Sequence, residues 1–134
     1  MRISLFGNLR ISFAGRLLTT VNTGRLHSLL AYLILHGDAP QPRERLAFLL
    51  WPASKESQAR TNLRQLLHTL KRALPPECNA LVSDHFAVQW RYGDSCEIDV
   101  LEFQRAIAAA VAARTETDGR REIEALNLAV RLYE

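Results

Sequence analysis

Residues 59 to 74 read ARTNLRQLLHTLKRAL. At about 100° per residue, Ala59, Leu63, Leu66, Leu67, Leu70 and Leu74 fall on one narrow arc, which predicts an amphipathic helix with a sharply bounded apolar face. The opposite face carries Thr61, Arg64, Gln65, His68 and Arg72. Arg60 and Lys71 lie on one shoulder, Asn62 and Thr69 on the other, and the stretch holds no acid. Such side chains bond phosphate oxygens and base edges, so the pattern fits a helix that lies in a DNA major groove. A solvated surface helix has much the same look, and the flanking sequence has to decide between the two.

On the N-terminal side, residues 24 to 36 change to helical period. Leu26, Leu29, Leu30 and Leu33 form a stripe that Ile34 and Leu35 thicken, and Gly37 stands where a helix stop is expected. A second helix follows the turn Gly37-Asp38-Ala39-Pro40. Pro42 suits its first turn, Leu46, Leu49 and Leu50 its inner side, and Pro52 its end. Trp51 reads as a packed anchor. Residues 52 to 57, PASKES, then lead into the basic helix, with Ser54 or Ser57 available as N-cap. Three helices ending on a basic amphipathic one, after a short turn, make a helix-turn-helix arrangement, with the recognition helix at about 57–74.

Beyond Pro75-Pro76, the run ALVSDHFAVQWRYG from Ala80 alternates around a turn near Asp84-His85, with Leu81 before it and Phe86, Val88, Trp90 and Tyr92 after it. This is a β-hairpin, and in its place after the basic helix it reads as a wing spanning about 80–92. A wing gives His85 and Arg91 roles at the DNA backbone or in the minor groove. A hairpin that only completes the core is the alternative. At the other end of the chain, Ile3, Leu5, Leu9, Ile11 and Phe13 recur at period two, with turns at Gly7-Asn8 and Ala14-Gly15. They predict a three-stranded antiparallel meander.

The 134 residues carry a net charge of +3. Its distribution says more than its size. Residues 40–74 hold seven basic side chains against two acidic, whereas from residue 93 onward five arginines face nine acids. The positive potential is gathered around the basic helix, as on a protein that meets a polyanion, and the acidic portion reads as a separate unit. No apolar run is long enough to span a membrane and no signal peptide opens the chain, so a cytoplasmic location without membrane partners is expected. Cys78 and Cys96 lack metal-site spacing and are expected to be free thiols.

After Tyr92 the pattern turns to an acidic loop and two helices. Asp99 is the expected N-cap of the first, with Val100, Phe103, Ile107, Ala110 and Val111 inward. A link over residues 115–119 precedes the second, with Ile123, Leu126, Val130 and Tyr133 on its apolar side.

Taken together, ISLFGNLRIS (residues 3–12), RLHSLLAYLILHGDAPQPRERLAFLLWP (25–52), ARTNLRQLLHTLKRAL and the hairpin resemble the OmpR/PhoB-type winged-helix DNA-binding domain. In particular they resemble the version that opens bacterial regulators of the SARP and bacterial transcriptional activator domain (BTAD) class. The resemblance implies an α+β fold: a β meander, a three-helix winged helix-turn-helix over residues 1–93, and the start of an all-α TPR-like region over 94–134. It also implies sequence-specific transcription regulation on double-stranded DNA, with RNA polymerase and a second copy on direct repeats as partners. Carried over by position, the DNA-binding residues are Arg60, Thr61, Arg64, Gln65, His68, Lys71 and Arg72, with Arg91 from the wing. Family wings often carry glycine at the tip; here the tip reads Ser83-Asp84-His85-Phe86.

The competing function is a winged-helix protein-interaction module within a larger signalling protein, since such folds serve both ends. Catalysis is the weakest class. The four histidines are scattered along the chain, and no carboxylate pair, nucleophile elbow or glycine-rich phosphate loop accompanies them. No enzyme activity, metal or cofactor is therefore expected.

Overall fold

A computed structural model describes residues 1–7, 9–18, 24–91, 96–116 and 118–133. The fold is mixed α+β, with five helices and two small sheets among these residues. Contacts divide the chain into two compact units. Met1–Gly15 groups with Ser95–Glu134, and Arg16–Asp94 forms the other.

In the first unit, β1 (Arg2–Ser4) and β2 (Arg10–Phe13) pair antiparallel, Ile3 opposite Ile11. Both isoleucines are fully buried, as the period-two pattern requires. The chain then turns at Ala14 and Gly15, both with positive φ, the backbone hand that a tight two-residue turn demands. On the other side of β1 lies β7 (Glu97–Ile98), which runs parallel to it. Two residues are too short to show a period, so this strand has no periodic signature.

Helices α4 (Asp99–Thr115) and α5 (Gly119–Tyr133) pack on one another, but not through the stripe read from their larger side chains. The buried residues are Ala106, Ala110, Ala113 and Ala129. Val111, Ile123, Val130 and Tyr133 are exposed, and so, less fully, are Ile107 and Leu126. Alanines at i, i+4 and i+7 let two backbones approach closely, which leaves the bulkier apolar face outside. Asp99 also differs from expectation. It is the first helical residue, with Ile98 as N-cap, and its carboxylate reaches the end of β1.

The second unit begins with β3 (Arg16–Leu17) and continues with α1 (Gly24–Leu35), β4 (Gln41–Pro42), α2 (Arg43–Leu50), α3 (Glu56–Ala73), β5 (Leu81–Ser83) and β6 (Ala87–Trp90). The α1 stripe is buried as expected, through Leu26, Leu29, Leu30, Leu33 and Ile34, while Leu35 faces outward. Pro42 is the N-cap of α2, with extended backbone, so it stands one residue before the helix and not in its first turn. That extended segment pairs with β6, giving the strand order β4-β6-β5. Gln41 is the one buried polar side chain of the described core. Its amide donates to the carbonyls of His36 and Ala39, 3.2 and 3.1 Å away. These bonds satisfy the turn that follows α1.

On α2 the inner side is Leu46 with Ala47; Leu49 is half exposed and Phe48 more so. Trp51 is buried as an anchor, with the Arg25 guanidinium 5.3 Å above its ring. Val88 and Trp90 on β6 are completely buried. Phe86 shares their parity but lies before the strand starts and points into solvent. Cys78 and Cys96 are both half-buried thiols. Tyr92 and the expected domain boundary at residues 93 and 94 lie outside the described residues.

Candidate nucleic-acid interface

Helix α3 forms because its sequence satisfies both of its faces. Ala59, Leu63, Leu67 and Leu70 are buried, and Leu74 closes the row as C-cap. Glu56 in the first turn and Lys71 and Arg72 in the last complement the helix dipole. The expected serine cap is absent. Lys55 is the N-cap and makes no side-chain cap bond, because the helix starts at Glu56 and takes Ser57 inside it. Packing against α2 therefore holds this helix end more than local capping does.

All seven α3 residues singled out from the sequence are exposed, but they do not stand alike. Arg60 donates to Glu44 on α2 at 3.1 Å and also to Glu56 one turn back. Its guanidinium is thus shared between two carboxylates. Thr61 donates back to the Ser57 carbonyl at 3.1 Å, and Lys71 donates to the Ser83 hydroxyl at 2.8 Å, which links α3 to β5. Arg64, Gln65, His68 and Arg72 have no side-chain hydrogen bond or ion pair among the described residues. Arg91 follows β6 at the open end of the hairpin, where its N–H donates to the Ala80 carbonyl, away from the Asp84-His85-Phe86 tip.

Two grooves flank α3. One, of about 700 Å³, brings Arg60 and Arg64 together with Arg43 and Glu44 from α2 and with His85 and Phe86 from the hairpin tip. The other, of about 490 Å³, places Asn62, Gln65 and Thr69 beside Gly24, Arg25 and Trp51. Sequence reasoning missed Arg25, Arg43 and Phe86. Arg43 had a signal in the excess positive charge of residues 40–74; Arg25 and Phe86 had none, because their neighbours come from distant elements. Among the described residues no group of His, Cys, Asp and Glu could hold a metal ion, and no helix is long and apolar enough to cross a membrane.

The hairpin tip is braced. Asp84 accepts from the backbone N–H groups of Phe86 and Ala87 at 2.7 and 2.8 Å, the pattern of an Asx turn. The Phe86 bond, then the Ala87 bond, then the Arg43 and His85 charges hold the Asp84 carboxyl below its ordinary range. A carboxyl lowered in this way supports the tip fully above the ordinary aspartate value of about 3.9, and its support is lost as pH falls through the lowered value. The Phe86 and Ala87 amide resonances are therefore expected to titrate with a midpoint below that ordinary value. A midpoint above it would contradict the bracing.

No protein-family model matches the chain, and no curated protein does. Among solved structures it is similar to Mycobacterium tuberculosis EmbR, in a complex with a low-affinity phosphopeptide, with a TM-score of 0.79 and 20% sequence identity. The match covers 99% of this chain and 36% of that one, so the chain spans little more than a third of EmbR's length. At this identity the likeness is one of fold: the chain folds as a part of EmbR does.

Proposed function

We propose that this chain is the DNA-binding part of a SARP-type transcriptional regulator, with α3 as recognition helix in the major groove and the β5–β6 hairpin as wing. One observation carries the proposal. The exposed face of α3 presents Arg64, Gln65, His68 and Arg72 without side-chain partners among the described residues, on a helix whose other face is fixed in the core. A face of this kind is ready to bond a duplex at little cost in rearrangement. The likeness to a part of EmbR supports the reading at the level of fold.

Within this proposal Arg64, Gln65 and His68 meet base edges, and Thr61 stands beside them. Arg72 and Lys71 meet phosphates. Arg60 braces α3 against α2 in place of a phosphate contact, because it would have to leave two carboxylates to make one. RNA polymerase and a second copy on direct repeats are the partners that the family resemblance adds, in a cytoplasmic setting. A second reading, recognition of a protein partner, draws on the exposed Val111, Ile123 and Val130 of α4 and α5.

Selection from a pool of random duplexes tests the first reading. Wild type is expected to enrich a short motif, and Arg64→Ala to bind that motif more weakly by about 1 to 3 kcal/mol with relaxed preference at one position. If wild type enriches nothing and shows no affinity that falls with salt, the DNA-binding proposal fails.

A further inference from the structure

The tip of the β5–β6 hairpin is fixed far more firmly than an idle turn needs. Besides the two bonds to the Asp84 carboxylate, the Asp84 N–H donates to the Ala87 carbonyl at 3.0 Å. From α2, the Arg43 N–H donates to the Phe86 carbonyl at 2.8 Å and the Arg43 Nε to the Asp84 carbonyl at 2.7 Å. Five hydrogen bonds hold three residues, and the side chain they hold out into solvent is Phe86, 83% exposed. A single exposed apolar residue is ordinary on any surface. A phenyl ring on a rigid tip, in one groove with Arg43, Arg64 and His85, is not.

We infer that Phe86 makes an apolar contact with the nucleobases of the duplex engaged by α3, and so adds selectivity from the hairpin tip. The inference rests on the DNA-binding reading and extends it to a residue that carries no charge. Arg43 and His85 suit a sugar-phosphate backbone while Arg64 reaches base edges, so a ring held between them meets what lies between the two strands. Two base features accept such a ring: a thymine methyl group, or an opened step between stacked base pairs. Either needs a side chain ordered before binding, since ordering it afterwards would consume the gain. The bracing of the tip provides that order. A protein partner suits the place less well, because the ring is rimmed by Arg43, Arg64 and His85, while Glu44 is already paired with Arg60.

The experiment uses the full chain as wild type, Phe86→Ala and Phe86→Leu. Each is titrated over a range of salt on the motif enriched by wild type, on the same duplex with uracil in place of thymine, and on one carrying 2-aminopurine. Phe86→Ala is expected to bind about tenfold more weakly, the scale of losing about half a buried phenyl ring. The slope of log affinity against log salt should stay unchanged, because no phosphate contact is lost. Phe86→Leu should recover part of the loss. Sensitivity to uracil that disappears in Phe86→Ala identifies the methyl contact, and a 2-aminopurine fluorescence rise that disappears identifies the opened step; each supports the inference. Wild-type affinity and motif in Phe86→Ala overturn it and leave the DNA-binding reading intact. A reduced salt slope in that variant also overturns it, since the ring would then only be supporting a backbone contact. Failure of wild type to bind any duplex defeats both.

Discussion

Trp90→Ala is expected to lower the unfolding free energy of the Arg16–Asp94 unit by about 3 to 5 kcal/mol, read from urea denaturation, and, on the DNA-binding proposal, to weaken duplex binding with it. Trp90 is completely buried on β6, the middle strand of the β4-β6-β5 sheet, where the sheet meets α1. Removing an indole there takes away the largest fully buried side chain of the unit and opens a cavity that helices pinned by leucine cannot readily fill. Small domains have only about 5 to 15 kcal/mol to lose, so the effect is a large share of the whole. Trp90→Phe separates ring from donor. The Trp90 Nε1–H has no partner among the described residues, and an unmet buried donor costs about 1 to 3 kcal/mol. Phenylalanine removes that donor along with part of the ring, so the two effects oppose and the loss should stay below about 1.5 kcal/mol. If phenylalanine were as damaging as alanine, the donor would have to be satisfied in the folded state.

The stretch that decided the fold was legible because a helix repeats its instruction every turn. Leu63, Leu67 and Leu70 mark the same face, and the polar face between them is free of acid. The hairpin was legible for a similar reason, through the alternation of Val88 and Trp90. Elements of two residues carry no such repetition, so β4 and β7 could not be read, although each sets the position of a neighbour. In α4 two apolar stripes competed. The larger side chains made the louder one, but close helix packing selected the alanines.

The site was legible as a list of side chains and not as an arrangement. Only half of Arg60's pairing could be read locally: Glu56 stands one turn back, but Glu44 lies sixteen positions away, on another helix. Phe86 looks like a core residue by parity, yet its exposure is set by where the turn ends. What a residue bonds across the fold depends on tertiary contacts that local periodicity does not encode.

The pairing of β1 with β7 rests on Asp99, and Asp99→Ala is expected to destabilise the Met1–Gly15 and Ser95–Glu134 unit by about 3 kcal/mol. Its carboxylate accepts from the Ser4 hydroxyl at 2.5 Å and from the N–H groups of Leu5, Phe6 and Val100 at 2.8, 3.3 and 2.7 Å. Three of these donors lie at and just beyond the end of β1, some ninety residues away in sequence. The register covers Arg2 with Glu97 and Ile3 with Ile98, and the Arg2–Glu97 ion pair is exposed and screened by solvent. Bonds to a charged acceptor contribute about 1.5 to 3 kcal/mol each, and alanine would leave the Leu5 and Phe6 amides to find water in a half-buried site. Alanine also removes a negative charge from the first turn of α4, where the helix dipole favours one. Asp99→Asn keeps one acceptor oxygen but turns an amide donor toward the remaining donors, so it should lose roughly half as much. Hydrogen exchange distinguishes this anchoring from a general loss of stability. The Leu5 and Phe6 amides should lose protection first, while the amides of the α4–α5 contact keep theirs at low denaturant. A loss within about 0.5 kcal/mol, the ordinary range for a surface substitution, would mean that the β1 end is held by apolar contacts instead, through Phe6 against Phe103 and Tyr133.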